Sequence, residues 1–384
     1  MDYKPTKRGV CTEGFKAYGV RDGKYGVAVV KADQVCDSVG VFTRNSVKAA
    51  PVTLSKRAVK NGLQAVVANS GNANACVSHG MEDAMDVMKA ASLEMGVHTR
   101  NIAVASTGII GRPMDVNKVV GLMKFSSARL SCSGKASIEA AKAIMTTDTF
   151  PKQYSIEHEG IQVGGILKGA GMIAPDMATM LCFITTNADV SRGVMQKSLS
   201  DAVGGSFNMT VVDGDMSTND VVLLLSNRRR KCSPGLFKSM LSNVCVGLCR
   251  QMAVDGEGAS KFIEFNVNGG GSVVEARKAA KAVASSPLVK TAFYGENPNW
   301  GRILASIGSV VSIDYRKVSI VFESDKGAAV LLKNGVMGDL KQARKILKSS
   351  EITVTVNLSK GRYSATSWGC DMTPEYVMIN AGYN

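Results

Sequence analysis

Apolar positions along this chain fall into short blocks separated by polar or glycine-rich turns, and their spacing alternates between the strand period of two and the helix period of 3.6. The runs YGVAVV (25–30) and SVGVFT (38–43) predict two short strands with a turn between them. Gln64–Asn69 and Ile102–Ala105 predict buried strands that run into the polar loops 70–74 and 106–111. Helical spacing covers 81–95, 113–123, 136–145, 194–203, 234–253, 273–284 and 339–347. Strand patterns recur at 209–212, 221–225, 290–294, 303–311, 318–322, 352–356 and 363–368. Both kinds of element occur in both halves without regular βαβ alternation, so the expected class is α/β (α+β), with mixed sheets and outer helices.

One stretch organises the rest. GGILKGAGMIAPDMATMLCFITT (Gly164–Thr186) begins in glycines and ends in a solid apolar run that reads as a strand buried on both faces. Thr179 stands where loop becomes strand. A lone threonine hydroxyl is a weak nucleophile, but at a new chain N-terminus it has its own amine as base, with a pKa near ~8. Attack by Thr179 on the Ala178 carbonyl is helped by the small preceding residue and the flexible glycines. The residues alone leave two readings open: an ordinary buried strand, or self-cleavage before Thr179. Likewise Ser106-Thr107-Gly108 is either a plain strand-to-helix turn or a place where hydroxyls and a glycine N–H are presented together.

Composition narrows the function classes. With 384 residues and 45% hydrophobic content the chain can bury a large core, and 20% charged residues argue against disorder. Net charge is +14, but the basic residues are scattered except for Arg228–Lys231, and no nucleic-acid motif with interleaved aromatics accompanies that run. A solvated loop is the expectation there. The nine cysteines are an odd number and far apart, with Cys245 and Cys249 at helical spacing, which reads as buried thiols in a reducing cytosol. No signal or membrane-spanning segment is legible, so a cytoplasmic protein is expected.

Competing motifs are weak. Gly169–Ala174 fits GxGxxA, but Pro175 and an apolar strand follow where a dinucleotide site needs a helix. The cluster 213–220 has the early oxygen spacing of a calcium loop, yet Thr218 and Leu224 occupy the required glycine and glutamate positions. The three histidines lack the spacing of a helical metal pair, and nothing positively supports a Ser-His-Asp triad.

Taken together and in order, GFKAYGV (14–20), GVFTRNSVKAAPV (40–52), ANSGNANAC (68–76), STGIIG (106–111), TTDTFPK (146–152), KGAGMIAPDMATML (168–181), DGDMSTND (213–220), DGEGASK (255–261), NPNWGRI (297–303) and INAGY (379–383) resemble the motifs of the ornithine acetyltransferase family, nearly end to end. The resemblance implies a layered αββα core like that of N-terminal-nucleophile hydrolases. It implies cleavage between Ala178 and Thr179 into an α chain (1–178) and a β chain (179–384), one intertwined unit with a smaller C-terminal lobe, assembling as α2β2. It implies acetyl transfer from N2-acetyl-L-ornithine to L-glutamate in arginine biosynthesis through acetyl-Thr179, with Thr107 and Gly108 as oxyanion hole. Thr147, Lys168, Thr179, Glu257 and Asn380 would bind substrate: Lys168 suits a carboxylate and Glu257 an ammonium. No cofactor, metal, nucleic acid or membrane is called for, and acetyl-CoA is a candidate second acetyl donor. A substrate-touching Ser or Thr that the family carries five residues after the asparagine falls beyond Asn384. A self-cleaving aminopeptidase or amidase and a basic nucleic-acid binder through Arg228–Lys231 are the alternatives.

Overall fold

The computed structural model describes residues 3–173 and 180–382. The chain divides into two compact units, one of Met1–Gly169, Asp176–Gly204 and Met216–Leu248, the other of Ala170–Pro175, Gly205–Asp215 and Cys249–Asn384.

The first unit is built on a mixed sheet. Its strands run in the order Lys4–Thr6, Lys152–His158, Ile161–Lys168, Leu181–Asp189, Val221–Lys231, Tyr25–Phe42, Leu63–Ser70, Ile102–Ser106, and Phe15–Asp22 pairs with Tyr25–Phe42. Alternation in the central strands explains how both faces are covered. Ala28, Val30, Val66, Ala68, Ala103 and Ala105 pack to one side with Ala140, Ala141 and Ala143 of helix Gly134–Ala143, in the same cluster as Phe183 and Leu223. Their neighbours Val27, Val29, Ala65, Val67, Ile102 and Val104 pack to the other side against Val87, Ala91 and Met95 of helix Gly80–Met95 and Val119 and Met123 of helix Val116–Ser127. Each large apolar side chain so enclosed is worth about 1.5–3 kcal/mol.

The apolar half of the organising stretch forms strand Leu181–Asp189, buried along all but its last residue. It pairs in parallel with Val221–Lys231 and antiparallel with Ile161–Lys168. The second unit carries another mixed sheet, ordered Val336–Met337, Gly327–Lys333, Ser319–Ser324, Glu351–Asn357, Phe262–Gly270, Tyr363–Cys370, Thr210–Val211. The expected class of mixed sheets with helices therefore holds.

Three local expectations need correction. The two strands expected between Tyr25 and Thr43 are one strand, Tyr25–Phe42, whose register on Leu63–Ser70 shifts between Lys31 and Cys36; a bulge absorbs the polar interruption that reads as a turn. The strands expected at 290–294 and 303–311 are helices, Pro287–Tyr294 and Trp300–Gly308. Ser286 caps the first, with Pro287 opening it, and Asn299 caps the second, so start signals outweigh the β-branched content. Finally, Arg228–Lys231 is no loop. It continues strand Val221–Lys231, where Arg228 meets Asp189 and Asp37, Arg229 meets Asp33, and Arg230 meets Glu13.

All nine cysteines are free thiols, and Cys245 and Cys249 are buried as their spacing implies. Among the described residues, no helix is long and apolar enough to cross a membrane, and no cluster of His, Cys, Asp and Glu could hold a metal ion.

Candidate active site

Thr107 and Gly108 follow the end of strand Ile102–Ser106, which pairs in parallel with Leu63–Ser70. Their position is fixed by asparagines. The Thr107 N–H donates to the Asn69 carbonyl at 2.9 Å, Ser106 Oγ donates to Asn69 Oδ1 at 2.5 Å, and Asn69 Nδ2 donates to the Asn72 carbonyl at 2.9 Å. Asn219 Nδ2 reaches both the Ser106 carbonyl at 2.8 Å and the Ala73 carbonyl at 2.6 Å. The end of strand Leu63–Ser70, the loop 70–74 and the cluster 213–220 thus contribute Asn69, Asn72 and Asn219 as braces for this turn. The turn-cluster reading of 213–220 does not single out Asn219, whose bracing role comes from buried bonds of its side-chain amide to backbone carbonyls.

Gly108 sits at φ +130°, and a Cβ there would lie 2.4 Å from the Gly71 carbonyl carbon. Only glycine lets these two backbone segments approach so closely.

Lys168 ends strand Ile161–Lys168 and is buried. Its Nζ donates to Thr107 Oγ1 at 3.0 Å. An ammonium can only donate, so the Thr107 oxygen must accept there, and its own hydrogen is left to donate elsewhere. A buried cation also needs opposing charge. Asp148 provides it together with a partner of its own: its carboxylate accepts from Lys152 Nζ at 2.6 Å, from the Gly169 N–H at 2.8 Å and from the Thr146 N–H at 3.0 Å. Burial by itself would push the Asp148 carboxyl up, but the charges of Lys152 and Lys168 overrule it and hold it at about 2. Asp148 consequently ties the loop bearing half-buried Thr147 to the end of the strand bearing Lys168.

Asp220 is the second buried carboxyl. Its Oδ1 accepts from the Met180 N–H at 3.1 Å, and its backbone carbonyl accepts from the Thr43 N–H at 2.9 Å. Its Oδ2 is buried without a hydrogen-bond partner among the described residues. Burial raises this carboxyl well above the ordinary range, against the pull of the Met180 N–H and the Lys168 charge. Spacing gives no warning of Asp148 or Asp220 as positioning groups, because their importance comes from burial.

In the second unit, half-buried Glu257 and exposed Asn380 meet: Asn380 Nδ2 donates to Glu257 Oε2 at 2.8 Å and to the Tyr376 carbonyl at 3.0 Å along helix Pro374–Ala381. The Glu257 N–H donates to the Ala170 carbonyl at 3.0 Å. A Cβ on Gly171 would fall 2.2 Å from the Glu257 carboxyl carbon, so a side chain there would displace the Glu257 carboxylate from its present position. Asp213 accepts from the N–H groups of Met172 at 2.7 Å and Ile173 at 2.9 Å, with Met172 held at φ +53°. The residues Gly169–Ile173 form no helix. Thr107 and Lys168 are therefore joined within one unit, and Glu257 and Asn380 within the other. The expected nucleophile Thr179 and the expected cleavage pair Ala178 and Thr179 lie outside the described residues.

The ArgJ family pattern matches residues 12–384. A glutamate N-acetyltransferase of Methanothermobacter thermautotrophicus is 42% identical over 398 residues, covering 100% of this chain and 99% of the relative. The arginine biosynthesis bifunctional protein ArgJ of Symbiobacterium thermophilum is 43% identical over 378 residues, covering 94% and 92%. A solved ArgJ structure from Bacillus halodurans is 36% identical, covers 52% of this chain and 98% of its own, and has a TM-score of 0.48. With a family pattern spanning almost the whole sequence and relatives that match end to end, the chain belongs to the ArgJ family.

Proposed function

We propose that this acetyltransferase moves acetyl from N2-acetyl-L-ornithine to L-glutamate through an acetyl ester on Thr179, having first cut itself between Ala178 and Thr179. In the cut, Thr179 Oγ attacks the Ala178 carbonyl, the C–N bond breaks as the ester forms, and water then frees the upstream chain. In turnover the new α-amine takes the hydroxyl proton, Thr179 Oγ attacks the acetyl carbonyl, and ornithine leaves. The glutamate amine then attacks the acetyl ester, the acyl C–O bond breaks as the new amide forms, and the proton the amine loses returns to Thr179 Oγ by way of its α-amine.

The observation that supports this reading is the Lys168–Thr107 hydrogen bond, 3.0 Å long and buried. It leaves a polarised threonine hydroxyl to donate toward developing negative charge, which is what an oxyanion hole requires. Gly108 completes that hole, Thr147 and Lys168 take the substrate carboxylate end, and Glu257 with Asn380 takes the cationic end. The chemistry requires no cofactor or metal. The proposal extends to an α2β2 assembly of the two chains in the cytoplasm, and to acetyl-CoA as a second donor.

Intact mass under denaturing conditions tests the central step. The wild type should give two chains, one beginning at Thr179, and Thr179→Ala should give one uncut, inactive chain. A Thr179→Ala protein that still splits refutes the mechanism. Release of free acetate without glutamate would favour the amidase reading.

A further inference from the structure

The sequence places its densest positive charge at Arg228–Lys231, but in the structure three of those four side chains are neutralised by Asp189, Asp37, Asp33 and Glu13. The uncompensated charge lies elsewhere in the same unit. Helix Ala50–Ala58 turns Val52, Thr53, Lys56 and Arg57 onto one face, and Lys60 extends that row. This face, the strand end Gly40–Phe42 with Arg44 and Lys48 beyond it, and Gln196 and Ser200 of helix Arg192–Gly205 enclose a cleft of about 770 Å³.

Arg44, Lys48, Lys56, Arg57 and Lys60 line it, all exposed, and its lining holds no carboxylate. None of the five has an ion pair among the described residues; the Lys48 ammonium donates only to the Asn45 carbonyl. A cleft of similar size in the other unit, about 790 Å³, sets Arg250, Lys326 and Lys348 against Glu323, Asp325 and Glu351 and is balanced. Net positive charge of the chain therefore does not account for the contrast.

Like charges gathered in a concavity repel one another, and Lys56 and Lys60 do so at i,i+4 spacing. A bound anion removes that cost. Between the cations lie half-buried Val41 and Phe42 and buried Val52, an apolar wall suited to the flat face of a base, while Thr53, Gln196 and Ser200 offer neutral hydrogen bonds. We propose that this cleft is a binding site for a nucleoside polyphosphate, with phosphates on Lys48, Lys56, Arg57 and Lys60 and the base on the Phe42 wall. None of the residues assigned to this site is among those assigned to the proposed reaction.

The test uses the full-length protein, magnesium-free ATP as probe and titration calorimetry at physiological salt. ATP should bind, and Lys56→Glu with Arg57→Glu should weaken it by about tenfold or more. The control pair Arg277→Glu with Lys278→Glu makes the same charge change on an exposed face of helix Val273–Ser285 and should leave affinity within about twofold. In the wild type, ATP should also protect Lys56 and Lys60 from acylation by an amine-reactive reagent read by mass spectrometry. That measurement does not depend on the variants folding. Absence of ATP binding, equal loss in both charge-reversed pairs, or acylation of Lys56 and Lys60 that ATP does not slow would each overturn the proposal. Binding of inorganic pyrophosphate as tight as that of ATP would remove the base from it.

Discussion

Lys168 Nζ and Thr107 Oγ1 are 3.0 Å apart in a buried hydrogen bond that joins the end of one sheet strand to the turn after another. The contact makes Lys168 responsible for where the Thr107 hydrogen points. Lys168→Met keeps the length of the side chain but removes the ammonium that holds the Thr107 oxygen; with Thr107 donating to the oxyanion as proposed, kcat for acetyl transfer should fall, by up to the roughly hundredfold that loss of an oxyanion-hole donor costs. Thr107→Val should fall similarly. Steady-state kinetics on folded protein checks both, and a Lys168→Met variant with unchanged kcat would show that the contact is only structural.

Gly108 gives a prediction about stability. At φ +130°, with a Cβ that would meet the Gly71 carbonyl carbon at 2.4 Å and the Asn72 nitrogen at 2.6 Å, Gly108→Ala carries both backbone strain and a backbone clash. Strain alone costs about 1–3 kcal/mol, and the clash adds to it. Gly111→Ala, at φ +78° with nothing within 4 Å, carries only the strain. Urea denaturation should rank Gly108→Ala as clearly the less stable of the two.

The Asp148–Lys152 pair, with both side chains fully enclosed, predicts a pronounced asymmetry. Removing one member leaves a buried charge with its partner gone and should cost about 3–5 kcal/mol, whereas Lys152→Met combined with Asp148→Leu should cost much less. Asp148 is depressed in the fold to about 2. Its stabilising contribution is therefore complete above the ordinary carboxyl value near ~3.9 and is lost as pH falls from there through about 2. Denaturation of wild type and Lys152→Met between pH 5 and pH 2 (about that span) should show a shallower acid slope in the variant.

Much of the fold can be read from spacing, and the exceptions have physical causes. Helix Gly80–Met95 and strand Leu181–Asp189 follow their apolar periods because burial on a known number of faces dictates them. Helix Trp300–Gly308 does not, since Ile303, Leu304, Ile307 and Val310-Val311 form a pattern that either period can claim; the Asn299 cap decides it. Thr107 and Lys168 in one unit, and Glu257 and Asn380 in the other, stand out in the sequence as candidates because their motifs are ordered like those of the family. Asp148, Lys152 and Asp220 are not, because a carboxylate in a hydroxyl-rich loop looks the same whether it is solvated or enclosed. The basic run 228–231 misleads for the same reason, as its carboxylate partners come from positions 13, 33, 37 and 189.

Asp220 carries the opposite sign from Asp148. Because burial raises its carboxyl, the folded chain keeps a proton that the unfolded chain releases above about 3.9, so this residue subtracts stability increasingly as pH rises. Asp220→Asn keeps an oxygen to accept the Met180 N–H and removes the titration. The variant should match wild type near the ordinary carboxyl range and exceed it at mildly alkaline pH. Urea midpoints across that range decide the matter, and a difference independent of pH would mean that Asp220 does not retain its proton.

Glu257 and Asn380 predict how binding and chemistry separate. Asn380 Nδ2 already satisfies Glu257 Oε2, so the other carboxylate oxygen is the one that can face a cationic group. Glu257→Gln keeps an oxygen for Asn380 and removes the charge that would hold the side-chain ammonium of acetylornithine. An interaction made equally in ground and transition states changes KM and leaves kcat in place. KM for acetylornithine should rise about tenfold or more, the scale of a lost charge-assisted hydrogen bond, with kcat nearly unchanged. Asn380→Leu should raise KM less, since it frees Glu257 without discharging it. If Glu257→Gln instead lowers kcat and kcat/KM together, the carboxylate acts in the transition state, and its assignment to substrate binding fails.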